Sequence, residues 1–161
     1  MPHLAGALFG TSAGIDIVHV PYRGAAPAIN DLIGHQVQII FLDLPVLLPH
    51  IQSGAVKALA VGGRSRVQPL PDLPTLNELG YPQIEADNWY GMVAPARTPS
   101  AIIEKLNAAA LAAMKAPEVQ DKLAPQGAIL IGNTPEEFAA YMASEIQKWT
   151  KVVQTAGIKI N

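Results

Sequence analysis

The chain has 161 residues, enough for one domain with its own core or for two small lobes. Hydrophobic residues make up 50% of it and charged residues 15%, a globular composition that excludes a disordered chain. The formal net charge of −2 argues against nucleic acid as the main partner, because no basic surplus exists to neutralise phosphates. The absence of cysteine excludes disulfides, thiolate nucleophiles and zinc–thiolate sites.

No apolar run is long enough to cross a membrane, since glycine, proline or charge interrupts each one. Residues 1–16 also lack the basic start and long apolar stretch of a secretory signal. The sequence therefore predicts a cytoplasmic chain if Met1 is the natural start. It leaves open that a leader and further residues precede Met1.

The first 63 residues alternate between two apolar patterns. Helical spacing followed by a glycine predicts helices over 3–13, 26–33 and 44–54. Runs rich in β-branched and aromatic residues predict strands over 15–22, 37–42 and 56–61. Such alternation with short links indicates an α/β unit with a mainly parallel sheet.

A proline-rich stretch, 64–82, follows and is the only plausible lobe boundary, with one short helix after Pro74. Residues 86–95 read as extended. Beyond them the chain is mostly helical, with helices predicted over 99–115, 118–123 and 134–155 and a short strand over 128–131. Thr98 is the expected N-cap of the first of these helices, and Thr134 with Glu137 matches the capping box of the last.

The turn Tyr22-Arg23-Gly24-Ala25 leads from a predicted strand into a helix without any acid or nucleophile at the junction. A glycine before a helix start allows a ligand to approach free backbone N–H groups at the positive helix end. Arg23 adds a positive charge and Tyr22 a hydroxyl, which suits a carboxylate. The same residues also suit an ordinary turn of an α/β fold.

Other polar groups give weaker signals. Asp43, at the end of the next strand, either lines the same sheet edge or caps the following helix. The glycine turn "GGRSR" (62–66) either holds an anion or is a solvated loop. Neither the four histidines nor any other group shows metal-ligand spacing, and no motif predicts a cofactor. An enzyme using His19, Arg23 and Asp43 lacks a nucleophile–base pair.

Five stretches together resemble one family: "HVPYRGAAPAINDLIGHQV", "HIQSGAVKALAV", "LPDLPTLNELGYP", "NWYGMVAPARTPSAIIEKLN" and "TPEEFAAYMASEIQKWTKVV". This is the family of tripartite tricarboxylate transporter solute-binding proteins, or Bug receptors, and the stretches occur in the family's order over nearly the whole chain. The resemblance implies a two-lobed, periplasmic-binding-protein-like (type II) α/β fold. It also implies a periplasmic receptor, not an enzyme, that captures small carboxylates for a membrane transporter.

Against that family the N-terminal lobe and the start of the second lobe have no counterpart. The resemblance implies that residues 1–88 are a partial second lobe and 89–161 the C-terminal return segment of the first. It makes Tyr22 to Ala25 one half of a carboxylate cradle, with Asp43 near it. Pro2 and His3 are then the last of a missing ligand loop. We expect weakened binding, or alternatively an oligomeric remnant that binds no ligand.

Association is expected because helices built to pack on an absent lobe expose apolar faces. The last helix carries such a stripe at three-four spacing: Phe138, Tyr141, Met142, Ile146, Trp149 and Val153. The Ala-rich helix carries another: Ile102, Ile103, Leu106, Ala110 and Met114. The sequence therefore predicts a symmetric homodimer in which residues beyond about 89 reach across or exchange.

Overall fold

The structure, a computed structural model, describes residues 1–158. Its helices in chain order are α1 (Pro2–Ala13), α2 (Ala25–Ile33), α3 (Leu44–Gln52), α4 (Ser100–Lys115), α5 (Pro117–Leu123) and α6 (Pro135–Thr155). A single 3₁₀ turn, Ala124–Gln126, follows α5. The longer helices predicted from the sequence are confirmed to within one or two residues.

Local signals set the ends of these helices. Pro2 occupies the first position of α1, where its missing N–H costs nothing, and Gly14 ends the helix at φ 65°. At α6 the Thr134 hydroxyl accepts from the Glu137 N–H (3.2 Å), while the Glu137 carboxylate accepts from the Thr134 N–H (2.9 Å). The predicted capping box is confirmed.

Two local predictions are wrong. Thr98 does not cap α4: its hydroxyl donates to the Pro95 carbonyl (2.9 Å), and Pro99 occupies the N-cap position. The short helix predicted after Pro74 is a hydrogen-bonded turn. There the Glu78 carboxylate accepts from the Thr75 N–H (2.7 Å), and the Thr75 hydroxyl accepts from the Glu78 N–H (3.2 Å). The residues that follow Thr75 form a turn and no helix.

The predicted parallel sheet is not confirmed. Within residues 1–158 the expected strands 15–22, 37–42, 56–61 and 128–131 form no ladder, and none is assigned as a strand. The only bridges there are isolated, Val61 to Thr75 (parallel) and Val67 to Leu70 (antiparallel). The apolar patterns of strands encode extended backbone and side-chain packing, and pairing needs in addition a neighbouring strand at hydrogen-bonding distance.

Packing between helices and extended segments forms a small core. α1 lies on α6, α4 contacts both α5 and α6, and α3 contacts the 3₁₀ turn. Among residues 1–158 the buried apolar side chains are few: Ala5, Ala28, Ile29, Val67, Ile84 and Val152. Beside α1, Phe9 packs on Phe41 and Tyr81 with ring centroids 5.8 and 5.7 Å away, and Gly6 lets Phe41 approach the helix backbone.

The chain exposes much more surface than its mass predicts. Its solvent-accessible area is 11254 Å². A compact folded monomer of 17.0 kDa exposes about 7,700 Å² by the usual scaling with mass. The difference of about 3,500 Å² is comparable to the area that an obligate interface buries. Among residues 1–158, no helix combines the length and apolar character that a membrane crossing requires.

A buried carboxylate on α6 fixes the segment that joins the two halves of the chain. Glu145 accepts from the indole N–H of Trp149 (2.9 Å) and of Trp89 (3.4 Å), and it pairs with Lys148. The Lys148 ammonium also donates to the Glu85 carbonyl (3.2 Å). Burial raises the pKa of Glu145, but the hydrogen bonds from Lys148 and the indoles outweigh it and hold the pKa below its usual 4.5.

Replacing Glu145 by glutamine should lower the free energy of unfolding by about 1–3 kcal/mol, because an amide cannot accept from both indoles and from Lys148. Urea denaturation at pH 7 measures the loss. The pKa of Glu145 in the folded protein lies below 4.5. The difference in unfolding free energy between wild type and variant should therefore vanish as the pH falls through that pKa. The exposed Glu104, replaced in the same way, is the control and should change little. Equal losses for both variants would contradict the role of Glu145.

Candidate functional site

The turn into α2 has the open geometry that a ligand at the helix N-terminus requires. Gly24 is the N-cap of α2 at φ 111° and ψ 177°, a conformation that residues with a side chain rarely adopt. No atom lies within 4 Å of the position that a Cβ would take on Gly24. No side chain caps the helix, so the first N–H groups of α2, beginning with Ala25, have no partner within the helix.

The two polar side chains of the turn differ in availability. The Tyr22 hydroxyl donates to the Asp31 carboxylate on α2 at 2.7 Å. That hydrogen bond, with smaller contributions from burial and from the Asp31 charge, raises the pKa of Tyr22 above 10.0. Arg23 is exposed and forms no ion pair within residues 1–158. The turn therefore offers one cation and a set of backbone donors, while its hydroxyl already has an acceptor.

The start of α1 contributes Pro2 and His3, which the resemblance assigned to the ligand site. The His3 ring stacks on the His19 ring with centroids 3.7 Å apart and planes 4° apart. His19 precedes Tyr22 by three residues, so this stack brings the α1 N-terminus to the segment that carries the turn. Burial, the His19 charge and the N-terminal ammonium together hold the pKa of His3 below 6.5.

Of the two roles considered for Asp43 from the sequence, the helix cap is not formed. Asp43 occupies the N-cap position of α3, but its side chain makes no capping hydrogen bond. Both carboxylate oxygens instead accept from the Asn88 side-chain amide at 3.1 Å. The Asn88 amide also lies 3.4 Å from the Tyr90 hydroxyl. Asp43 thus ties the first half of the chain to the segment that begins the second half.

The arginines of the glycine turn are both occupied within the chain. Arg64 pairs with Glu85 at 2.8 Å, and Arg66 pairs with Glu78 at 3.1 Å while also donating to the Pro71 carbonyl. An anion would have to displace these carboxylates, which favours the loop interpretation of 62–66. No group of three or more potential metal ligands occurs among the described residues.

A shallow cavity of about 440 Å³ lies away from the turn, between the chain start and α6. Its lining is Met1, Asn88, Trp89, Met142, Glu145, Ile146 and Trp149. The lining is apolar except for Asn88 and Glu145, whose polar atoms already have partners within the chain. This composition does not suit an anionic ligand, so cavity size does not identify the carboxylate site.

The three residues of the enzyme hypothesis are not assembled for catalysis. His19 stacks on His3, Asp43 bonds Asn88, and no hydrogen bond or ion pair joins His19, Arg23 and Asp43 within residues 1–158. Asn88 and Glu145 were not identified from the sequence. A usable signal for Glu145 existed, because it is the one acid within the apolar stripe of α6, four residues before Trp149.

Known proteins resemble the chain along nearly its whole length. The family profile described as tripartite tricarboxylate transporter family receptor matches residues 1–158. BugT of Bordetella pertussis is 37% identical over 158 residues, which are 98% of this chain and 48% of BugT. A UPF0065 protein from the clcB-clcD intergenic region of Pseudomonas knackmussii is 37% identical over 155 residues, covering 94% of this chain and 90% of that relative. The chain thus spans about half the length of BugT.

Solved structures also resemble the chain along nearly its whole length. A periplasmic transporter superimposes with a TM-score of 0.83 at 40% identity, covering 99% of this chain and 53% of the other. Rpa4515 of R. palustris, solved with adipate, gives 0.83 at 36% identity, covering 98% and 52%. MatC of Rhodopseudomonas palustris, with bound malate, gives 0.75 at 30% identity, covering 95% and 53%. As its motifs predicted, the chain belongs to the tripartite tricarboxylate transporter receptor family and shares the fold of these periplasmic binding proteins.

Proposed function

We propose that this chain provides carboxylate-binding residues of a periplasmic receptor that delivers a small carboxylate to membrane transporter subunits. The observation that carries the proposal is the open N-terminus of α2 behind Gly24, in a family whose solved members hold adipate and malate. Residues 1–88 would belong to the second lobe of that receptor and 89–161 to the first. The extended segments 15–22, 37–42 and 56–61 would be strands of a mainly parallel sheet.

The ligand contacts follow from the charges at the turn. A carboxylate at α2 would accept from the N–H groups of Gly24 and Ala25, with Arg23 and Tyr22 nearby. Pro2 and His3 would line the opposite side. Asp43 would lie at the edge of the site, where it accepts a hydrogen bond from the Asn88 amide. It would not face the ligand directly, because two carboxylates would repel each other. Because the chain spans about half of BugT, we expect the 161 residues alone to bind weakly.

Calorimetry with adipate and malate tests the proposal, and Gly24→Val is the informative variant. A valine side chain resists φ 111° and would fill the space through which the ligand reaches the backbone, so heat of binding should disappear.

The matched control for this substitution is Gly14→Val. It also imposes positive-φ strain, here in the left-handed region at φ 65°, at the far end of α1, and nothing crowds its Cβ either. Binding should survive there. Equal affinity of wild type and the Gly24 variant would refute the placement of the site, and no binding of any dicarboxylate by wild type would refute the proposed function for this chain.

Ligand binding should raise the pKa of His3. In the free protein, burial and the neighbouring positive charges favour the neutral ring, and a carboxylate beside it would favour the charged ring. Because the bound-state pKa is then the higher one, affinity should increase as the pH falls through it and level off below the free-state pKa. NMR titration of the histidine rings with and without adipate measures this, with His35 and His50 as internal references. A His3 titration that adipate leaves unchanged would place the ligand elsewhere.

We also propose that the chain forms a homodimer. This holds both if the chain binds a carboxylate and if it is an oligomeric remnant without ligand binding. The exposed area exceeds that of a compact monomer by about 3,500 Å². The stripe of α6 is only partly exposed, because Phe138 and Tyr141 pack on Trp89. Ile102, Leu106 and Ile146 stay about half to two-thirds exposed, and each therefore forfeits roughly half of the about 1.5–3 kcal/mol that full burial contributes.

Light scattering at micromolar concentration should therefore report twice the 17.0 kDa mass of one chain. An obligate interface of more than about 2,000 Å² would keep the dimer associated on dilution into the nanomolar range. A stable mass of one chain would rule the dimer out.

A further inference from the structure

The glycine that opens the ligand turn also makes that turn costly to order. Gly24 adopts φ 111° and ψ 177°, one of many conformations that a residue without a side chain can take. Glycine therefore loses more backbone entropy than any other residue when it is held in a single conformation. A ligand that had to order this turn itself would bind more weakly. A site that is open before the ligand arrives thus requires attachments on both sides of Gly24.

Tyr22 supplies the attachment on the side before Gly24. Its hydroxyl donates to the Asp31 carboxylate at 2.7 Å, and both side chains are half-buried. A hydroxyl that donates to an ionised carboxylate makes a shorter and stronger hydrogen bond than one between neutral groups. This is the one side-chain hydrogen bond that residues 16–24 make with any residue of 1–158. It connects residues nine positions apart and so holds the turn against the middle of α2.

The end of α2 fixes Asp31 in turn. The Asp31 backbone carbonyl accepts from the Gln36 N–H at 2.8 Å, and the His35 N–H donates to the Leu32 carbonyl at 3.1 Å. Between these bonds His35 takes the left-handed conformation, at φ 57°, that glycine usually supplies after a helix. The pattern is a Schellman motif, which satisfies the last carbonyls of the helix. The carboxylate that holds Tyr22 therefore projects from a closed helix end.

We propose that Asp31 is a positioning residue, which holds Tyr22 so that the turn at Gly24 stays open before a carboxylate binds. This rests on the proposed function and adds the residue that orders its site. Asp31 lies seven residues beyond Gly24, about 10 Å along the helix axis at 1.5 Å per residue. Water and salt screen most of the repulsion between two charges at that distance. What the site requires of Asp31 is therefore a hydrogen-bond acceptor, and its negative charge is secondary.

Two variants remove the same hydrogen bond from opposite ends, and the mobility of the turn measures the result. In the full 161-residue chain, the ¹⁵N order parameters of Arg23 and Gly24 should fall from about 0.85 to below about 0.6 in Asp31→Ala and in Tyr22→Phe. Asp31→Asn keeps an acceptor oxygen and should leave the turn ordered. Asp121→Ala, at an exposed position of α5, makes the same change in another helix and is the control.

Binding of adipate, followed by amide shifts, tests whether this order serves a ligand. Asp31→Ala and Tyr22→Phe should each lower the affinity at least ~10-fold, because the ligand must then order the turn. The double variant should lose no more than either single one, since all three break one bond. Asp31→Asn should stay within ~3-fold of wild type. The pKa of Tyr22, which the bond to Asp31 raises above 10.0, should fall towards 10.0 in Asp31→Ala.

The outcomes separate positioning from the proposed function. A loosened turn and weaker binding in Asp31→Ala and Tyr22→Phe, with both retained in Asp31→Asn and Asp121→Ala, would support the proposal. Equal order parameters in wild type and Asp31→Ala would overturn it. Tighter binding by Asp31→Ala would also overturn it, because the freed Tyr22 hydroxyl would then be a ligand contact.

A wild type that binds no dicarboxylate, although Asp31→Ala loosens its turn, would refute the proposed function and leave the positioning of the turn supported. Circular dichroism shows whether each variant keeps its helices. Tyr22→Phe leaves the sequence of α2 unchanged, so it carries the test if Asp31→Ala does not fold.

Discussion

The Glu145 carboxylate holds together a structure that has little other core. It gathers two indole N–H groups and an ammonium, and one of the indoles belongs to the segment that joins the two halves of the chain. From that segment Asn88 reaches Asp43 on the first half, and Glu85 reaches Arg64 of the glycine turn. Because few apolar side chains of residues 1–158 are buried, these polar contacts on one short stretch add to the packing of α1 on α6 and of α3 on the 3₁₀ turn in placing the two halves.

Within residues 1–158, the ion pairs of the first half leave Arg23 unpaired at the turn into α2. The arginines of residues 62–66 and the Tyr22 hydroxyl are paired with carboxylates inside the chain, whereas Arg23 and the first N–H groups of α2 are not. The charge available to an anion is therefore concentrated where the glycine removes the steric barrier. The first turns of α1 and α2 contain no acidic residue, so no carboxylate there offsets the positive end of either helix.

What could be predicted from the sequence depends on how local the cause is. Gly14, the Thr134–Glu137 box and the apolar spacing of α4 and α6 act within one or two helical turns, and those helices are where they were expected. Strand pairing and side-chain partners depend on residues far away in the chain. That is why the lack of ladders among residues 1–158, the bond from Asn88 to Asp43 and the bond from Trp89 to Glu145 could not be read from neighbouring letters. Family motifs supplied the family, which the residues alone left open, and the ligand role that they suggest for Tyr22 to Ala25 stays a prediction.

The hydrogen bond from Tyr22 to Asp31 limits what the phenol can do for a ligand. A phenol has a single proton to donate, and here a carboxylate on the next helix already accepts it at 2.7 Å. An incoming carboxylate would exchange one acceptor for another of the same kind, which brings little net free energy. The Asp31 carboxylate thus occupies the same hydrogen-bond donor that a carboxylate ligand would use. Discrimination among carboxylates would then come from the fixed positions of backbone N–H groups, which read the length and shape of the ligand rather than its hydrogen-bonding strength.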